Sequence, residues 1–297
     1  MKQAILIASK DTFNILNIIE AFDDNAFEFY IHIDRKYRAE QDFIEKLTTY
    51  PQVKFVSRKY KVFWAGLSEL KVILHLCSES FKNSGCSVFH LISGQDYPVK
   101  SGIYFQNFFK NNNNNYMEIF PIPAKHWKGG GLNRITDIHS HSFIDGKKYE
   151  LTTLRILRLM RILNIKRKIP TELLPMFGGG TWWSLNRQAV EHIIAHPQNN
   201  TKFLKKLRFS FAPVEFFIHT LLMKYDLKIV NDSLRYVDWT RRNGNIPANL
   251  DMTDFEKIEN SNALFARKFE RGISEPLIYR LSNTIHKKVN SIASLFF

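Results

Sequence analysis

Short apolar runs and amphipathic runs alternate from the third residue onward, and this alternation restricts the available architectures more than any other feature. QAILIAS (3–9), FEFYIHID (27–34) and VKFVS (53–57) are apolar runs of strand length, whereas TFNILNIIEAF (12–22) and AEQDFIEKLTTY (39–50) carry their apolar residues at helical spacing. The pattern is βαβαβ. Parallel neighbours need long crossovers, so each helix must lie on a face of the sheet, and strands covered on both faces lose the polar alternation of a half-exposed sheet. The expected fold is α/β: a Rossmann-like, mixed, mainly parallel sheet with helices on both faces. LSELKVILHLCSESF (67–81) adds a longer helix, and SVFHLISGQDYPV (87–99) a strand running into a turn.

Open sheets of this kind bind ligands beyond the carboxyl ends of their strands. Ser9 and Lys10, Asp34 and Asp96 fall at such ends. Each also reads as a helix cap or turn former, but together they mark one cleft. Asp34 is placed to accept hydrogen bonds from a base or ribose, and Trp64 in VFWAGLS offers a flat apolar wall. No GxGxxG follows the first strand, and neither KGGG (128–131) nor FGGG (177–180) has P-loop spacing, so a nucleotide must be held otherwise. Arg235, Arg267 and Lys268 stand beside apolar residues, where a semi-buried anion or an ordinary salt bridge would satisfy them. No Asp-x-Asp triplet and no HExxH occurs, so no metal ligands are assigned.

FAPVEFFIHTLL (211–222) contains one carboxylate, Glu215, in an apolar run. Burial makes such a charge costly unless it is partnered or its pKa rises, while a place at a helix N-terminus behind Pro213 gives a purely structural reading.

With 42 Lys and Arg against 28 Asp and Glu, the chain carries +14 and calls for a polyanionic neighbour. Residues 147–168 place Arg155, Arg158 and Arg161 among Leu, Ile and Met, and the tail repeats the theme with Leu277, Leu281, Ile285, Val289 and Ile292 beside Arg280, Lys287 and Lys288. Both segments read as basic amphipathic helices, suited either to an anionic membrane surface or to packing on the core. No leader precedes the first strand, no apolar run is long enough to span a bilayer, and Cys77 and Cys86 lack metal or redox spacing. A cytoplasmic protein, peripheral at the inner face of the membrane, with unpaired thiols is expected. Nucleic-acid binding is disfavoured, because no RNP, KH or helix-turn-helix signature accompanies the charge.

YIHID, VFWAGLS, HLISGQDYPVKS, FGGGTWWSLNRQAV, APVEFFIHTLL, LRYVDW and LFARKF together resemble, in order, the signatures of the core-2/I-branching glycosyltransferases, a family that includes peptide O-xylosyltransferases. The resemblance implies a GT-A type domain over 1–270, interrupted by the basic insert at about 147–170 and followed by the tail 271–297. It implies inverting transfer from a UDP-sugar, GlcNAc or xylose, without cofactor or metal. Glu215 matches the catalytic base, although the Asp preceding it in many members is Val214 here. Arg235 and Lys268 match the cations that hold the diphosphate, Asp34 the uridine-side acid, and Ser9 and Trp64 nucleotide contacts. On the acceptor side the candidates are Asp96, Trp182, Glu118 and Arg134; aromatic faces stack on sugars, strand alternation turns one of Trp182 and Trp183 outward, and Trp182 is the one expected to face the acceptor. The acceptor is expected to be a glycan, lipid-linked during surface polysaccharide assembly. The competing reading is a non-catalytic nucleic-acid- or glycan-binding protein on a degenerate transferase fold.

Overall fold

The computed structural model describes residues 1–22, 24–199 and 201–293. The alternation read from the sequence is present: β1 (Lys2–Ser9), α1 (Ile15–Glu20), β2 (Phe27–Ile33), α2 (Gln41–Thr49), β3 (Val53–Ser57), α3 (Leu67–Phe81) and β4 (Cys86–Ser93). The chain continues through β5 (Asp96–Pro98), α4 (Gly102–Phe109), β6 (Asn115–Met117), β7 (Phe120–Pro121), α5 (Asn133–Thr136), α6 (Glu150–Ile162), β8 (Phe177–Gly178) and β9 (Trp183–Asn186). It ends with α7 (Arg187–Asn199), α8 (Thr201–Lys206), α9 (Phe217–Leu222), β10 (Ile229–Asn231), β11 (Arg235–Val237), α10 (Phe255–Glu259), β12 (Phe265–Arg267) and α11 (Glu275–Ala293).

Seven strands form the central sheet in the order β10-β6-β9-β4-β1-β2-β3. β1 runs parallel to β2 and β4, β2 to β3 and β10 to β6, while β9 is antiparallel to both its neighbours. The mixed, mainly parallel sheet is as expected. Side chains alternate along each strand, so Ile5 and Ile7 enter one apolar layer with Phe29 and Ile31, whereas Ala4 and Leu6 enter the other with Phe89, Leu91 and Trp183. Both layers are buried, which explains the unbroken apolar runs.

A second sheet, β11-β12-β5, borders the carboxyl ends of β1 and β4 and carries the cations of the site. Interlocking rings anchor it: Phe22 lies 5.0 Å from Phe105, which lies 5.2 Å from Phe265 on β12. Edge-to-face pairs of this sort add about 1 kcal/mol each beyond area burial.

The two basic segments behave differently. In α11, Leu277, Ile278, Leu281 and Ile285 are buried against the core, so the tail packs on the domain up to that point. Lys287, Lys288, Val289 and Ile292 lie outside the side chains described. In α6 only Thr153 is buried. Cys77 and Cys86 are free and buried.

Candidate functional site

The register of the parallel strands brings their carboxyl ends to one level, with Ser9 opposite Ile33 and Ala8 opposite Ser93. Ser9 is 4% exposed, and its hydroxyl donates to Asp11 O at 2.6 Å. A Cβ at Gly94 would stand 2.0 Å from that oxygen, so glycine is required there. The enclosed hydroxyl thus braces the loop after β1.

Asp34 is held rigidly. Its Oδ1 accepts from Lys36 N at 2.9 Å and Val62 N at 3.0 Å, and Oδ2 lies 3.6 Å from Lys36 Nζ, which also pairs with Asp145. Trp64 is 44% exposed, touched by the rings of His141 and Phe211 at T-shaped angles.

Glu215 sits where the chain turns. Ala212 takes a left-handed conformation, φ 45°, and its N–H donates to Ala65 O; Pro213–Glu215 then makes one 3-10 turn ahead of α9. The carboxylate thus precedes the helix instead of lying inside it. A third of its side chain reaches solvent, and Oε2 pairs with Arg134 Nη1 at 2.7 Å. The Arg134 guanidinium lies 3.7 Å from the ring centre of Trp127 and 5.2 Å from that of Phe211, which fixes its direction. Burial pushes the Glu215 carboxyl above its usual range, Arg134 pulls it back, and Glu118 adds a like-charge push. Val214, where many members of the family carry Asp, is 3% exposed and packs in the core.

The glycine run serves this turn. Gly179 N donates to Glu215 O at 2.9 Å, and a Cβ on Gly179 would fall 1.9 Å from Glu118 O and 2.7 Å from His219 Nε2. His219, fully buried on α9, donates to Gly180 O at 3.1 Å. Glu118 is exposed beside Gly180. Trp183 points into the core at 0% exposure, while Trp182 is half-buried with the Arg267 guanidinium 4.5 Å above its ring.

Asp96 and Arg235 each find partners within the protein. Asp96 is 0% exposed and accepts from Ser93 N at 2.8 Å and from Ser93 Oγ, with Oδ1 facing Arg267 Nε at 3.5 Å. The enclosed carboxylate thereby orients Arg267. Arg235 donates to Ser184 Oγ and Leu91 O at 3.0 Å, to Trp183 O at 2.8 Å and to Ser233 O. All four terminal N–H bonds meet protein oxygens, which ties Arg235 to β4 and β9. Arg235→Ala is accordingly expected to cost about 3 kcal/mol of folding stability, read from urea midpoints, because several carbonyls lose charged donors. Among variants that remain folded, unchanged UDP affinity would make Arg235 structural alone, whereas lost affinity with unchanged stability would support the diphosphate role.

Arg267 and Lys268 have the opposite character. Among the described residues, neither the terminal nitrogens of Arg267 nor Lys268 Nζ makes a hydrogen bond. Burial lowers Lys268 to about 8, assisted by Arg267, Lys147 and Lys10 and opposed by Asp96. Arg267 meets Asp96 only through Nε, so both partly desolvated cations have terminal nitrogens that an anion would satisfy. Trp182 links them to the base, since it lies beneath Arg267 and only three residues beyond Gly179, which is bonded to the Glu215 turn.

Sequence reasoning missed Glu69, in the first turn of α3. Burial pushes it up to about 8, the Ala65 N–H opposes, and Glu215 adds repulsion. A second acid of raised pKa therefore acts electrostatically on the base. In the sequence an acid in the first helical turn is ordinary, so nothing marked it.

The profile of the core-2/I-branching enzyme family matches residues 5–260. Xylosyltransferase oxt of Drosophila melanogaster is 24% identical over 283 residues, 87% of this chain and 30% of its own length. Beta-glucuronosyltransferase GlcAT14A of Arabidopsis thaliana is 31% identical over 125 residues, 40% of this chain and 27% of its own. The chain thus spans about a third or less of the curated relatives it matches. The crystal structure of S. aureus TarS 1–349 in complex with UDP is 12% identical, covering 47% of this chain and 40% of that one, with a TM-score of 0.31. The mixed sheet together with the profile match makes the architecture GT-A type, and the chain belongs to the core-2/I-branching enzyme family.

Proposed function

We propose that the chain transfers a sugar from a UDP-sugar to a hydroxyl of a glycan acceptor, with inversion and without a divalent metal, in bacterial surface polysaccharide synthesis. The observation that carries the reading is the pairing of a carboxylate of raised pKa, Glu215, with two cations, Arg267 and Lys268, whose terminal nitrogens make no hydrogen bond among the described residues, through the Gly179–Trp182 segment. In this reading Glu215 accepts the acceptor's hydroxyl proton as that oxygen bonds to the anomeric carbon from the face opposite UDP. The bond from that carbon to the diphosphate oxygen breaks, and Arg267 and Lys268 neutralise the charge gathering on the departing UDP. Arg134 holds the base in place, Asp34 and Trp64 border the nucleoside, and Trp182 with Glu118 borders the acceptor.

The relatives' names bring UDP-xylose and UDP-glucuronic acid forward as donors to test beside UDP-GlcNAc. Donors are screened for hydrolysis and thermal stabilisation by each UDP-sugar in EDTA. Turnover within about twofold of the untreated rate is expected, whereas a catalytic metal supplies several kcal/mol of charge stabilisation and its removal would cost more than about 10²-fold. A loss of that size, restored by Mg²⁺ or Mn²⁺, would end the metal-free reading. We place the protein at the inner face of the membrane, working on a lipid-linked acceptor; among the described residues no helix is long and apolar enough to cross a bilayer.

A further inference from the structure

We infer that α6 is an interfacial helix that seats the protein on an anionic phospholipid surface. Leu151, Arg155, Arg158 and Ile162 recur at the spacing of one helical face, and all four are exposed. Leu151 and Ile162 are each 70% exposed, with Leu154 at 52%, Leu159 at 50% and Leu163 at 56% beside them. α6 buries only Thr153 and half-buries Ile156, Leu157 and Met160, so that its four exposed large aliphatics and the Leu163 that follows form an apolar face the fold does not cover. The other basic segment differs, since α11 spends its described apolar stripe on the core.

The charge pattern selects the occupant. Residues 147–168 hold eight cations and one carboxylate, Glu150. Of these cations Arg161 pairs with Asp137, and Arg167 donates to Ile135 O and Ser210 Oγ. Lys147, Lys148, Arg155, Arg158, Lys166 and Lys168 remain exposed. An isologous contact with a second copy would press these cations against their equivalents. Anionic headgroups over acyl chains satisfy both elements of the face at once: the aliphatic side chains enter the boundary, and arginine stems run beside them while the guanidinium groups stay at phosphate level.

The segment entering this helix also borders the proposed donor site. Asp145 pairs with Lys36, which lies against Asp34, and Lys147 acts electrostatically on Lys268. Docking α6 therefore sets the cleft beside the bilayer. That the bilayer carries the acceptor rests on the function proposed above; the docking itself is read without sugar transfer.

The test is cosedimentation of the full chain with phosphatidylglycerol–phosphatidylethanolamine vesicles and with phosphatidylcholine vesicles, at low and raised salt, alongside thermal stabilisation by UDP. Binding to anionic vesicles that weakens with salt is expected, with little binding to phosphatidylcholine. Arg155→Gln/Arg158→Gln should lower the partition coefficient about 25-fold, roughly fivefold per cation. Leu151→Ser/Leu154→Ser/Ile162→Ser should reduce it to the phosphatidylcholine level, with UDP stabilisation intact in both variants. Equal binding to both vesicle types, variants that sediment like the parent, or self-association without vesicles that the variants abolish would each overturn the inference. Vesicle binding without any UDP stabilisation would leave the docking standing and remove the transferase reading.

Discussion

Glu215→Gln is expected to lower kcat by about 10²- to 10⁴-fold while leaving UDP affinity within a few-fold. The amide keeps the side chain's shape and its contact with Arg134 through the carbonyl oxygen, but it cannot take a proton from the acceptor hydroxyl. Donor binding survives because the charges assigned to the diphosphate belong to β12 and the residue after it, not to the Pro213–Glu215 turn. The parent should show an acid limb in kcat/KM above the ordinary glutamate range, since burial raises this carboxyl and activity requires its ionised form. In Glu215→Gln that limb should disappear from the residual rate. Single-turnover transfer and UDP titration measure the two quantities separately, and unaltered transfer would reject Glu215 as the base.

The fold was legible where periodicity carries it. Layers of Ile5, Ile7, Phe29 and Ile31 on one face, and Ala4 and Leu6 on the other, are what a doubly covered parallel sheet demands of its sequence. Glu215 was legible for a related reason: an acid among buried phenylalanines is a costly arrangement that draws notice. Charged residues whose use depends on long-range geometry were not. Arg235 and Arg267 both sit in apolar strand contexts, yet one spends its donors on Leu91 O, Trp183 O and Ser184 Oγ while the other stacks on Trp182 with its terminal nitrogens unbonded. Only the antiparallel pairing of β9 with β4, distant in sequence, creates the strand end that Arg235 caps. Asp96 was correctly placed at a strand end, but its burial follows from the β5–β12 pairing, which sets it opposite Arg267. The two basic helices looked alike for the same reason: amphipathicity reveals an apolar face without revealing what covers it.

Lys268→Ala is expected to cost about 10²- to 10³-fold in kcat/KM, the scale for removing one preorganised charge from a developing anion. Arg267→Met should act similarly, and the pair should lose less than the product of the single losses, because both serve one diphosphate. The pH dependence distinguishes charge from packing. Burial and neighbouring cations lower free Lys268 to about 8, so its charge is present below that pH and lost above it. The parent's kcat/KM should therefore fall on the alkaline side with a midpoint near 8, and Lys268→Arg, charged throughout the range, should retain activity there. Bound UDP favours the cation, so kcat should hold to higher pH than kcat/KM. A parent profile flat to pH 10 would detach Lys268 from the departing diphosphate, as would an alkaline limb unchanged in Lys268→Arg. Equal losses of UDP affinity and kcat/KM in Lys268→Ala would instead make its contribution uniform binding, realised before the sugar begins to leave.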